Sequence, residues 1–361
     1  MKTKKLSTCI LASLLFLMFN IFAPVQSRAL VPIPDKTVVL TFDDAVKSHI
    51  TVAAPLLKQY GFGASFYITQ IWIGDTENFM DWNEVAALND MEFEIGNHTW
   101  SHQLFNLPSF AAKFQEEFYQ IEDAFQKAGI PPSVSFAWPG NYFGPEALAE
   151  LEYTGTKFAR RGPQPEFTGG THLGPLYDPK VHHPLLIPTS GDAAPDWTLE
   201  RFKESVDRAK DGKITILMFH GVPDNVHPWV HTPAERFVEY MAYLKSGGFN
   251  VIAMRDLEKY VDPQNYPDDP MVNGRYPSLP GTALIAGTAV FKLDVSVNAG
   301  ALMVTVPGEN PGGHVWVYRP SGDCVVCGEP VTGKKTNISL QQSPPGLYIA
   351  QVGELTRKFV Y

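Results

Sequence analysis

Between about Thr37 and Asp262, short apolar runs of β-forming residues alternate with stretches of helical periodicity, and few architectures accept that order. Val38–Phe42, Ala64–Thr69, Phe93–Gly96, Val134–Trp138, Lys157–Arg160, Leu185–Thr189, Ile214–Phe219 and Val251–Met254 read as strands. Between them, Asp81 to Asn89 reads as a helix opened by an Asp cap. Ser109 to Gly129 carries Phe110, Phe114, Phe118, Ile121 and Phe125 on one face, which predicts a core-facing helix. About seven such repeats imply a parallel sheet, either a barrel or a doubly wound sheet. In both, chemistry gathers at the carboxyl ends of strands. That rule selects Asp43 with Asp44, His98, Pro139, Arg160 and His220 together.

Three of these positions carry chemistry by residue type. In T-F-D-D, Thr41–Asp44, two neighbouring acids can serve one site only if the chain is already turning at the strand's end. Such a pair suits a cation ligand beside a general base, although capping or solvation explains many D-D pairs. In H-T-W-S-H, His98 and His102 are four apart, a spacing that a helical turn would place on one side. Two imidazoles and one carboxylate form a common catalytic metal set with positions left for water and substrate. His220 ends the apolar run I-L-M-F-H and suits protonation of a leaving group, with a buried structural histidine as the alternative.

T-F-D-D, then H-x-x-x-H about fifty residues on, then L-x-x-H near the domain's end resembles the polysaccharide deacetylase family. This is carbohydrate esterase family four, the NodB-homology domain, and the resemblance covers roughly residues 37–261. It implies an α/β fold, a distorted incomplete (β/α) barrel. It implies that Asp44, His98 and His102 bind the metal, Zn2+ with Co2+ or Ni2+ in its place. Asp43 would be the general base, His220 the acid, and Leu217 would line the pocket for the acetyl methyl. The family's R-x-P-x-G aligns with Ala137-Trp138-Pro139-Gly140-Asn141, so the arginine that orients the base is missing. Arg160 or Arg161, at the end of the next strand, is the expected replacement. Gly140 beside Pro139 would offer a backbone N–H to the oxyanion. Asp196, in D-W, would tune the catalytic histidine or cap the helix that follows. Trp100 or Trp229 would stack on a sugar, or simply pack. His172, His182 and His183 read as exposed loop histidines.

The ends of the chain are read separately. Lys2, Lys4 and Lys5 precede an apolar run from Cys9 to Phe22, and small residues follow at Ser27 and Ala29. Residues 1–29 are therefore expected to be a signal peptide, with an uncleaved anchor as the alternative. The expected location is secreted, periplasmic or cell-surface, with no membrane span after cleavage. Cleavage leaves Cys324 and Cys327, whose C-x-x-C could be one disulfide in an oxidising compartment. A formal charge of −9 argues against nucleic acid as a partner and is neutral towards uncharged polysaccharides.

The catalytic domain is expected over residues 30–262, a linker over 263–283 and a module over 284–361. In the module, short strands separated by turn clusters predict a small C-terminal all-β sandwich. Its V-W-V-Y-R-P-S-G-D, I-S-L, P-G-L-Y-I-A-Q-V and R-K-F-V-Y resemble the C-terminal sorting domains of proteins exported by gliding bacteria. A carbohydrate-binding role is the alternative. The expected function is metal-dependent removal of acetyl groups, N-acetyl in preference, from an acetylated polysaccharide or oligosaccharide. An O-acetyl esterase of the xylan type and an inactive carbohydrate-binding protein are the alternatives.

Overall fold

The computed structural model describes residues 29–163, 173–267 and 269, then 294–298, 301–305, 314–318, 324–330, 335–340, 347–352 and 355–360. The leader, most of the expected linker and His172 lie outside the described residues. No described helix is long and apolar enough to cross a membrane.

Eight parallel strands form one sheet: β1 (Thr37–Phe42), β2 (Ser65–Ile68), β3 (Glu94–Asn97), β4 (Ser135–Ala137), β5 (Phe158–Arg160), β6 (Gly191–Asp192), β7 (Thr215–Phe219) and β8 (Asn250–Ile252). The order runs β5-β4-β3-β2-β1-β7-β6, and β8 joins β1. One edge of β1 is filled by β7 along Val38–Phe42. Its other edge is shared, Thr37–Val39 pairing with β8 and Thr41–Phe42 with β2. A sheet that forks in this way curls. Among the described residues the end strands β5 and β6 do not pair; β5 bonds instead to Pro184 and Ile187 in the segment leading to β6, so the barrel is incomplete.

Both faces of the sheet are covered, and accordingly every residue of β1 and β7 is buried. The helices α1 (Ala54–Tyr60), α2 (Trp82–Asp90), α3 (Phe114–Lys127), α4 (Pro145–Glu152), α5 (Leu199–Val206) and α6 (Ala234–Ser246) cover one face, and Tyr177, Ile187, Met254 and Leu257 pack on the other. The expected Asp81 cap is part of a capping box, Asp81 accepting from Glu84 N and Glu84 from Asp81 N, both at 2.9 Å. On the helix side, Phe42 stacks between Phe66 and Phe219 at 4.8 and 5.2 Å. Phe114, Phe118, Ile121 and Phe125 of α3 are buried as their spacing predicts.

The expected strand Leu185–Thr189 is not formed. Pro188 lacks the N–H a ladder needs, and a turn from His183 O to Leu186 N occupies its start. The strand proper is the two-residue β6. His182 and His183 are buried, not exposed loop histidines. His183 N donates to Asp269 Oδ2 at 2.6 Å, and its ring meets Tyr266 at 4.0 Å, so this stretch is held against the domain.

The C-terminal strands form two antiparallel sheets, one of β9 (Asp294–Asn298), β10 (Ala301–Thr305) and β13 (Lys335–Ser339). The other contains β11 (His314–Tyr318), β12 (Cys324–Pro330), β14 (Leu347–Val352) and β15 (Leu355–Val360). Leu302, Val304 and Ile338 from the first share a core with Val315, Val317 and Ala350 from the second. β12 carries both Cys324 and Cys327.

One buried group gives a pH dependence. His49 is fully buried, and its Nε2 lies 3.1 Å from the His220 carbonyl, which makes it the donor of a neutral ring. Burial holds this imidazole down to about 4, outweighing the His220 carbonyl and the Asp44 charge. Unfolded, it titrates near 6.5, so between those values the unfolded chain binds the extra proton. Stability should therefore fall as pH drops from about 6.5 towards about 4, by roughly 3 kcal/mol from this residue. Urea unfolding of metal-free protein against His49→Gln should show a shallower pH slope in the variant. Equal slopes would remove His49 from the account.

Candidate metal and active site

β1 delivers the two acids. Asp43 N donates to Phe219 O at 3.0 Å, prolonging the ladder by one residue. Asp44 and Ala45 then take φ of 75° and 56°. That left-handed turn lets adjacent carboxylates face one site, which a continuing strand would forbid.

β3 delivers His98, whose N–H donates to Ile68 O at 3.0 Å. The histidine pair is not on a helical turn. Residues 98–102 form a loop in which Thr99 and His102 have φ of 64° and 53°. Asn97 Oδ1 accepts from Thr99 N at 2.9 Å, and Glu117 of α3 accepts from Ser101 N and Oγ at 2.7 and 2.6 Å. The loop still brings the two rings to 4.8 Å.

His98 Nε2 and His102 Nε2 lie 3.5 and 3.6 Å from Asp44 Oδ1, and His220 Nε2 lies 3.8 Å from Asp44 Oδ2. His98 Nδ1 donates to Ala137 O at 2.8 Å, so Nε2 is the nitrogen that faces the carboxylate. Burial would raise the Asp44 carboxyl, but His98 and the imidazoles of His102 and His220 around it hold it below the usual carboxylate range. Burial pushes His102 down to about 4. Burial works against the charged form of His98 too, yet its bond to Asp44 and both acids raise it.

A divalent cation fits this set. The ligand atoms of Asp44, His98 and His102 lie within 4.8 Å of one another. Asp44 Oδ1 is buried with no hydrogen-bond partner, although two imidazole nitrogens converge on it. Two nitrogens and one carboxylate oxygen suit zinc or cobalt with positions left open.

Arg160, at the end of β5, is fully buried and its Nη2 pairs with Asp43 Oδ2. Nη1 reaches Asn141 Oδ1 and Thr189 Oγ1 at 3.2 Å each and Met218 Sδ at 2.8 Å. The Tyr67 ring lies 5.8 Å from the guanidinium carbon. Gly96 makes room for that ring, since a side chain there would strike it. Arg161 donates instead to Leu186 O and Gly162 O, both at 3.0 Å. The turn Pro139–Asn141, in which Gly140 has φ of 58°, sits between the carbonyl that holds His98 and the amide that meets Arg160.

Several expected positions differ. Leu217 belongs to the helix-side core with Trp197 and Phe219. Strand alternation puts Met218 and His220 on the site face instead, and Met218 touches Arg160. The Asp196 side chain is 73% exposed and faces Arg201 at 3.9 Å, while Thr198 caps α5. The acid near His220 is Asp192 of β6, whose carboxyl is raised by burial against the pull of His220 and Arg160. Asp192 Oδ1 and His220 Nδ1 are both buried without a hydrogen-bond partner. Its signal was an acid ending a strand, hidden because that strand was placed too early. Trp100 packs against the main core, whereas Trp229 is 62% exposed. Trp72, 5.1 Å from the His102 ring, had no sequence signal.

Comparisons with known proteins follow this geometry. No curated protein matches the sequence. A carbohydrate esterase family 4 pseudoenzyme from Bacillus anthracis is similar at 17% identity, over 65% of this chain and 70% of that one, with TM-score 0.44. A family 4 acetyl xylan esterase from Clostridium thermocellum, in complex with a cobalt ion, shares 21% identity over 62% and 90%, with TM-score 0.41. A family 4 carbohydrate esterase from Streptomyces lividans, in complex with acetate, shares 16% over 62% and 93%, also with TM-score 0.41. The family model described as polysaccharide deacetylase matches residues 31–159, which hold both acids, both metal-type histidines and the altered third motif. Residues 31–159 are thus similar to the polysaccharide deacetylase family, with a divergent third motif.

Proposed function

We propose that this protein is an exported, metal-dependent hydrolase that removes acetyl groups, N-acetyl in preference, from a polysaccharide or oligosaccharide. The observation that carries the reading is the pairing of buried Asp43 with Arg160 directly beside the Asp44–His98–His102 cluster. Export rests on the basic and apolar start of the chain.

Asp44, His98 and His102 would hold the cation, Zn2+ or Co2+. When bound, it supplies Lewis acidity that polarises an acetyl carbonyl and makes water a better acid. Asp43 accepts a proton from the attacking water, and Arg160 aims its carboxylate. The Gly140 N–H would donate to the oxyanion. His220 gives a proton to the departing nitrogen or oxygen, with Asp192 in position to steady its charged form. The water oxygen bonds to the acetyl carbon, the acetyl C–N or C–O bond breaks, and acetate and a free amine or hydroxyl leave. Met218, on the site face, takes the acetyl-lining role first expected of Leu217.

The test is acetate release from chitooligosaccharides, acetylxylan and peptidoglycan after chelation, with and without restored Zn2+ or Co2+. Release that disappears with the chelator and returns with metal is expected, greatest from an N-acetylated substrate. Greater release from acetylxylan would make it an ester hydrolase. No metal-dependent release from any of the three would favour a carbohydrate-binding protein on this scaffold.

A further inference from the structure

The loop after β7 is a built structure. Thr232 N donates to Gly221 O at 2.9 Å and the Thr232 hydroxyl to Ala193 O at 2.5 Å, closing the loop at its base. Val222 N donates to the Ser48 hydroxyl at 2.6 Å. Inside, Asp224 is 1% exposed and accepts from the backbone of Val226 and His227 at 2.9 and 2.8 Å. A side chain at Gly221 would come within 2.6 Å of Asp224 and the Pro223 carbonyl, so glycine is what lets the acid fold beneath the loop.

The acid fixes a histidine. His227 Nδ1 lies 3.1 Å from Asp224 Oδ2. Its ring meets Trp229 edge-on at 5.4 Å and Trp72 at 5.2 Å. Trp72 stacks on Phe79 at 5.6 Å and reaches the His102 ring at 5.1 Å. A continuous run of rings thus leads from a metal-type ligand to Trp229 in solvent. An indole left exposed on an anchored loop keeps its apolar face available without an ordering cost on binding.

We propose that Trp229, held through His227 and Trp72, is a stacking subsite for a second sugar ring beside the one that reacts. The protein would then take chains in preference to single sugars. A pyranose presents a face of C–H groups that an indole covers, and its hydroxyls remain in water at this open rim. This inference rests on the carbohydrate reading above.

The experiment uses the full chain with chitotetraose. Calorimetry on metal-free protein should show Trp229→Ala binding it about tenfold more weakly, and Trp229→Phe keeping most of the affinity. In metal-loaded protein, the preference for chitotetraose over a small aryl acetate should drop about tenfold through KM. Unchanged binding in Trp229→Ala, or an equal loss on both substrates, would overturn the subsite. A wild-type protein that binds chitotetraose through Trp229 but releases no acetate would instead count against the hydrolase reading alone.

Discussion

Asp43→Asn is expected to lower acetate release by about 10²- to 10⁴-fold while leaving the metal content of the protein unchanged. The change is nearly isosteric and keeps an oxygen that Arg160 can donate to, so the buried guanidinium retains a partner. What it removes is the ability to take a proton from water. The cation set does not include Asp43; its Oδ2 lies 4.0 Å from His98 Nε2, farther than either Asp44 contact. Metal analysis alongside single-turnover acetate release separates the two roles. Full activity would show that Asp43 is not the base. Loss of metal together with activity would make it a ligand.

Arg160→Ala should be costly twice over. Breaking a buried ion pair by removing one partner leaves an uncompensated charge, a loss of about 3–5 kcal/mol. Asp43 would be that charge, only 3% exposed and with Oδ1 already lacking a hydrogen-bond partner. Activity per folded molecule should fall as well, because the base loses the group that aims it. Arg160→Lys keeps the cation but not the planar fork, and should recover stability before it recovers rate. Arg161→Ala is the control. Its guanidinium serves backbone carbonyls of Leu186 and Gly162, so its cost should be in folding. Chemical unfolding and acetate release on the same preparations read both effects. If Arg160→Ala keeps the specific activity of the folded fraction, another group orients Asp43.

The altered third motif explains why this arginine matters. Where the family pattern has an arginine, this chain has Ala137, and the backbone carbonyl there holds His98. The neighbouring strand end supplies the cation from Arg160, through an arm that Asn141, Thr189 and Met218 surround.

The sequence alone determined the β/α alternation, because burying both faces of a parallel sheet demands apolar runs that composition exposes. It likewise put Asp43, Asp44, His98 and His220 at strand ends, since that depends only on where an apolar run stops. Which arginine meets Asp43, and that Asp192 rather than Asp196 lies near His220, were decided by tertiary structure. Side-chain reach across neighbouring strands has no local code, and the irregular path from Tyr177 to Asp192 shifted β6 away from its expected place. Leu217, which the resemblance put at the site, and Met218 are adjacent in the chain but lie on opposite faces of the sheet, so the core took one and the site the other. The left-handed turns at Asp44 and His102 were equally out of reach. Neither residue is glycine, and only the surrounding packing holds a non-glycine backbone in that region.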